Sequence, residues 1–146
     1  MAYKKINKMD INYEELPLSE NDLGWINAGI GELQRVIKEL GVNNDGLITP
    51  QILDEVYPFF KKGTRWSKKN RTYAISILGS GLGYCYIKEL GYKWIIVKDK
   101  MGEEFAVKHE ESNWTNFPFS SVRKRLKTNE KNFFTALIES FRKEIK

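Results

Sequence analysis

The amino-acid sequence predicts an α+β fold, a small antiparallel β-sheet packed against several α-helices. Two apolar stripes at helical spacing, one near each end of the chain, give the outer helices. Two apolar runs joined by the turn Asp99-Lys100-Met101-Gly102 give a hairpin near 92–109. The chain has 146 residues, 41% apolar and 13% aromatic. That is material for one core without a disulfide or metal staple. A single domain over 1–146 is expected. It has an N-terminal helical part at about 18–60 and a helix-hairpin-helix part at about 70–146.

Residues 1–17 read as irregular. Ser19 then caps a helix over 19–40, with Asp22 at its third position and Leu18 and Leu23 placed as a hydrophobic staple. Leu23, Ile26, Ile30, Leu33, Ile37 and Leu40 form its apolar stripe, and Gly41 is set to end it. Asn43-Asn44-Asp45-Gly46 is a turn. Thr49 caps a second helix with Pro50 at its first position, and Pro58 is expected to stop it near Val56 or Tyr57. Residues 61–71 hold six bases and no acid around Trp66 and read as a loop. Residues 72–90 read as a helix ending at Gly91, followed by the hairpin. A loop around Trp114 spans 110–117. A short helix follows Pro118, and Phe134, Leu137, Ile138, Phe141 and Ile145 mark the last helix.

Composition excludes several classes. One cysteine, Cys85, allows no internal disulfide and fits a reducing compartment. One histidine, His109, rules out a Cys/His zinc cluster within the chain. The N-terminal lysines precede no apolar run of signal-peptide length, and no window approaches a membrane span. A cytoplasmic location is expected. Charge is uneven. Residues 10–55 carry ten acids and two bases, while the whole chain has a net charge of +5. An acidic front is therefore joined to a basic back.

Three segments hold residue types that chemistry could use. In Asn43–Ile48, aligning Gly46 to the sixth position of a calcium loop puts Gly41 and Ile52 where acids belong, which favours an Asx turn. Gly79-Ser80-Gly81-Leu82-Gly83, with Asp99 twenty residues after Gly79, has the outline of a dinucleotide loop. Tyr84, however, stands where a third glycine or alanine is needed. The rival is a helix whose small residues admit the close approach of another backbone, and that reading is preferred. The basic material at 61–71 and 123–127 is a potential binding surface, comprising Arg65, Trp66, Lys68, Lys69, Arg71, Trp114, Arg123 and Arg125. No catalytic, cofactor-binding or metal-ligating residue is assigned. Cys85 reads as an inert buried thiol and His109 as a surface histidine.

From residue 72 onward the chain resembles a bacterial domain-of-unknown-function family, number 3806. The residues that carry this are Leu78-Gly79-x-x-Leu82-Gly83, Gly91-x-x-Trp94 and Asp99-x-x-Gly102-Glu103-x-x-Ala106-Val107. Phe117-Pro118-Phe119-x-x-Val122-x-Lys124-Arg125 completes the set. The resemblance implies a helix, a hairpin and a Pro-initiated helix, and no activity. The functional expectation is a non-enzymatic protein-binding or accessory domain, with another protein as partner and no cofactor. The alternatives are a nucleotide-binding enzyme using Gly79–Gly83, a nucleic-acid binder working through the basic loop, or an immunity protein of a toxin system.

Overall fold

The computed structural model describes residues 3–5, 13–61, 71–128 and 130–146. Among these, five helices accompany one antiparallel sheet, as the sequence predicts. The elements are β1 (Tyr3–Lys5), β2 (Tyr13–Leu16), α1 (Glu20–Glu39), α2 (Pro50–Lys61), α3 (Arg71–Leu90), β3 (Lys93–Asp99), β4 (Gly102–Lys108), β5 (Trp114–Asn116), α4 (Pro118–Arg125) and α5 (Phe133–Glu144).

Helix α1 starts where its cap demands. The Asp22 amide donates to Ser19 Oγ at 3.1 Å, and the Ser19 amide donates back to Asp22 Oδ2 at 3.0 Å. This reciprocal pair satisfies two amides that the first turn leaves open. Gly41, at φ 71°, follows the helix in the left-handed conformation. In α2 the Ile52 amide donates to Thr49 Oγ1 at 3.1 Å, and Pro50 takes the first position. The helix does not stop at Pro58 but continues to Lys61. Phe60, fully buried in the core, lies in this added turn, so packing outweighs the hydrogen bond that proline removes. Asp54 of α2 also holds α5. Its Oδ1 accepts from the Phe134 amide at 2.8 Å and its Oδ2 from the Thr135 amide at 3.0 Å.

The sheet is larger than the hairpin alone. Its order is β1-β5-β4-β3-β2, and every neighbouring pair is antiparallel. Two expectations are corrected here. The N-terminal segment is not wholly irregular, because β1 and β2 form the two outer strands. The segment around Trp114 is not all loop, because Trp114–Asn116 forms β5. Lys108 Nζ reaches both Glu15 carboxylate oxygens at 2.8 Å, linking β4 to β2.

Helix α3 is the central element, with buried residues on every side. Gly79, Gly81 and Gly83 lie in its middle, so this segment is neither loop nor helix start, and the dinucleotide-loop alternative fails. The helix reading holds, with one correction to its reason. What approaches these glycines is side chain rather than backbone. A Cβ on Gly79 would fall 2.2 Å from Phe119 Cδ1, one on Gly81 2.4 Å from Leu33 Cδ2, and one on Gly83 2.1 Å from Trp94 Cη2. Gly29 of α1 makes room for Ser80 in the same way, at 2.6 Å.

Two predictions follow from this packing. Gly83→Ala should lower unfolding stability by about 1–3 kcal/mol, because the new methyl overpacks Trp94. Gly31→Ala, whose methyl meets open space in α1, should raise stability by up to about 1 kcal/mol. Urea denaturation of both variants checks the contrast, and equal shifts would refute it.

Burial pushes the Cys85 thiol and the Tyr57 phenol each up to about 12, and burial raises Tyr92 as well. The folded chain thus favours the neutral form of all three groups. Their contribution is complete below the unfolded values and is lost as pH rises towards the folded ones. Urea midpoints measured against pH should hold to about 9 and fall between about 9 and 12. A level profile to pH 11 would contradict this.

Candidate functional site

An open cleft of about 650 Å³ lies between α1, the start of α3 and the end of α4. It is lined by Trp25, Arg71, Thr72, Ile75, Ser76, Phe119, Arg123 and Lys127. Helical spacing assembles it. Arg71, Thr72, Ile75 and Ser76 are neighbours across the first turns of α3. Phe119, Arg123 and Lys127 follow one another at four-residue steps along and just beyond α4. Trp25 comes from α1 and is 48% exposed. Its ring lies 5.6 Å from those of Phe105 and Phe119, and these two lie 6.0 Å from each other. Phe119 is buried against Gly79, so the floor of the cleft is fixed by the core.

The cleft is cationic. Among the described residues Arg71, Arg123 and Lys127 form no ion pair, whereas Arg35, Arg125 and Arg142 all do. Three like charges around a partly apolar hollow attract an anion. Ser76 Oγ donates to the Thr72 carbonyl at 2.9 Å and keeps its lone pairs for a further donor. Across the Trp25–Phe105–Phe119 ring cluster lies a smaller hollow of about 190 Å³. It is lined by Asp22, Ile96, Glu103, Glu104 and Phe105.

Of the eight surface residues named from sequence, Arg71 and Arg123 come together in the cleft. Arg65, Trp66, Lys68 and Lys69 lie outside the described residues. Arg125 is engaged elsewhere. It pairs with Glu130 at 3.0 Å and stacks 4.7 Å above the Phe133 ring. Trp114 is a half-buried strand residue that meets Phe141 edge-on at 5.2 Å, so it is no exposed loop aromatic. Sequence reasoning missed Trp25 and Phe119. For Trp25 a signal existed, since a large aromatic standing off the α1 stripe is left facing outward.

Neither the one cysteine nor the one histidine is free. Cys85 is 1% exposed with its thiol pushed up to about 12. His109 Nδ1 shares a 2.8 Å hydrogen bond with Ser112 Oγ in the β4–β5 turn, and its ring packs 5.4 Å from Tyr92. It is half-buried rather than a plain surface histidine. Among the described residues no cluster of three His, Cys, Asp or Glu side chains is placed to hold a metal. Asn43 Oδ1 instead accepts from the Asp45 amide at 2.8 Å, an Asx turn. No described helix is long and apolar enough to cross a membrane.

The fold and cleft define an α+β domain wrapped round a glycine-bearing central helix, with a cationic, aromatic-walled surface hollow. The chain belongs to the family described as Domain of unknown function (DUF3806), whose pattern matches residues 61–135. That stretch includes Arg71, Phe119, Arg123 and Lys127 but not Trp25. A crystal structure from Bacteroides thetaiotaomicron VPI-5482 superposes with a TM-score of 0.68 at 16% sequence identity. The match covers 92% of this chain and 49% of that one. The likeness is one of fold, and this chain spans about half the length of that relative. No curated protein matches.

The cleft cations are exposed and form no ion pair among the described residues, so they contribute little to folding. The double variant Arg71→Glu/Arg123→Glu should unfold within about 0.5 kcal/mol of the parent in urea. A loss beyond about 2 kcal/mol would mean that these residues serve the fold rather than a ligand.

Proposed function

We propose that the chain is a non-enzymatic binding module whose partner is another protein, and that the cleft receives an acidic segment of that partner. One observation carries the reading. Three cations that form no ion pair among the described residues share a cleft with an aromatic side chain half in solvent. Unpaired like charges held together bring no stability of their own, while Trp and Arg are the side chains that dominate protein interfaces. The engaged states of Cys85 and His109 support binding rather than catalysis. An immunity role would be one form of this reading. A cytoplasmic location, in keeping with one free buried thiol, belongs to it too.

Nucleic acid is the second reading, since Trp25 can stack a base while the cations meet phosphates. The carboxylates of Asp22, Glu103 and Glu104 just across the ring cluster would repel a phosphate chain continuing in that direction, which favours protein.

The full chain and its Arg71→Glu/Arg123→Glu variant, used as baits in a native extract, test the proposal by quantitative mass spectrometry. At least one protein should be captured reproducibly and depleted about tenfold with the variant. Indistinguishable captures would remove the cleft from the function. Captured nucleic acid, released with a steep logarithmic dependence on salt, would favour the second reading.

A further inference from the structure

The two hollows and the ridge between them have a polarity that the proposed function does not use. On one side of the Trp25–Phe105–Phe119 rings stand Arg71, Arg123 and Lys127. On the other stand Asp22, Glu103 and Glu104. The ridge is apolar and accessible, with Trp25 48% exposed and Phe105 half-buried. We infer that the face reads a charge-ordered segment. It would take acidic side chains in the larger cleft, an apolar side chain against Trp25 and Phe105, and a lysine or arginine over the smaller hollow. This inference rests on the cleft being a protein-docking site and names the chemistry of what docks there.

Electrostatics and size support that occupant. The acidic side holds no ion pair among the described residues, and Lys98, opposite Glu103 in the β3–β4 ladder, is the cation that faces it from the sheet. Asp22 Oδ2 accepts the Ser19 amide in the first turn of α1 and Glu104 Oε2 accepts the Ser120 hydroxyl, which orients both carboxylates. Glu103 is exposed. No ion pair to Asp22, Glu103 or Glu104 occurs among the described residues. The ring spacings of 5.6–6.0 Å make the ridge about two rings wide. An extended chain advancing about 3.3 Å per residue crosses it in roughly three or four residues. A purely acidic segment would be attracted at the cleft and repelled at Glu103 and Glu104. A segment with a basic end gains at both, and opposed charges fix the direction in which it lies.

A randomised eight-residue peptide display library, panned on the full chain, tests this. Sequences should be enriched in which acid, apolar and basic positions follow one another in a fixed order. Enrichment should vanish with the Arg71→Glu/Arg123→Glu variant. With Glu103→Lys the acidic and apolar preferences should persist while the basic one is lost. A synthetic peptide from the selected set should bind the Glu103→Lys variant about fivefold more weakly by fluorescence anisotropy. Enriched peptides that are acidic throughout, with affinity indifferent to Glu103→Lys, would overturn the polarity and leave the docking cleft standing. No enrichment over a bare support would overturn both.

Discussion

The structure depends on the space left free along one side chain-poor helix. Three glycines inside α3 give up helix propensity, at about 1 kcal/mol each against alanine, and in return admit Phe119, Leu33 and Trp94 to the helix surface. Each of these side chains belongs to a different element, namely α4, α1 and β3. A central helix of ordinary side chains would push these elements outward. Here the glycines set the distance at which the short helix, the long helix and the sheet gather round a common axis.

That constraint reaches the surface through Phe119. Its ring fills the space over Gly79 and supports Trp25 and Phe105 from beneath. Phe119 also stands one helical turn before Arg123 on α4, so the ring that docks the helix in the core also positions a cation at the cleft. Fold and candidate site thus share a side chain. The cations can be changed without touching the core, whereas the aromatic floor cannot.

Much of this was legible in the sequence because the signals were local. The Ser19–Asp22 box, Gly41, the Thr49-Pro50 start, the Asp99–Gly102 turn and Pro118 each act within a few residues, and each element appears where its signal stands. What stayed hidden was decided at long range. Strands β1, β2 and β5 have three or four residues each, too few for an alternating pattern to register, and they exist because a neighbouring strand offers partners. Pro58 carries a strong local stop signal that the burial of Phe60 overrides. The cleft brings position 25 and position 71 to the set 119, 123 and 127, and no local pattern joins these three parts of the chain. Two of these five positions, Arg71 and Arg123, were legible because basic runs are visible as composition. Trp25 was not, because its role depends on what α1 faces across the fold.

The order of the strands has a consequence for how the chain assembles. β3, β4 and β5 follow one another and can pair as a meander soon after they are made, but both borders of that meander are closed by strands from the opposite end of the sequence. Contacts spanning most of the chain form slowly, since distant ends must meet before either is rewarded. Until they do, the meander offers two unpaired rims, each able to recruit a strand from a neighbouring molecule. The N-terminal strands therefore act as guards. They turn an interval open to intermolecular pairing into a closed sheet, and the acid Glu15, clasped by Lys108, holds one of them in place.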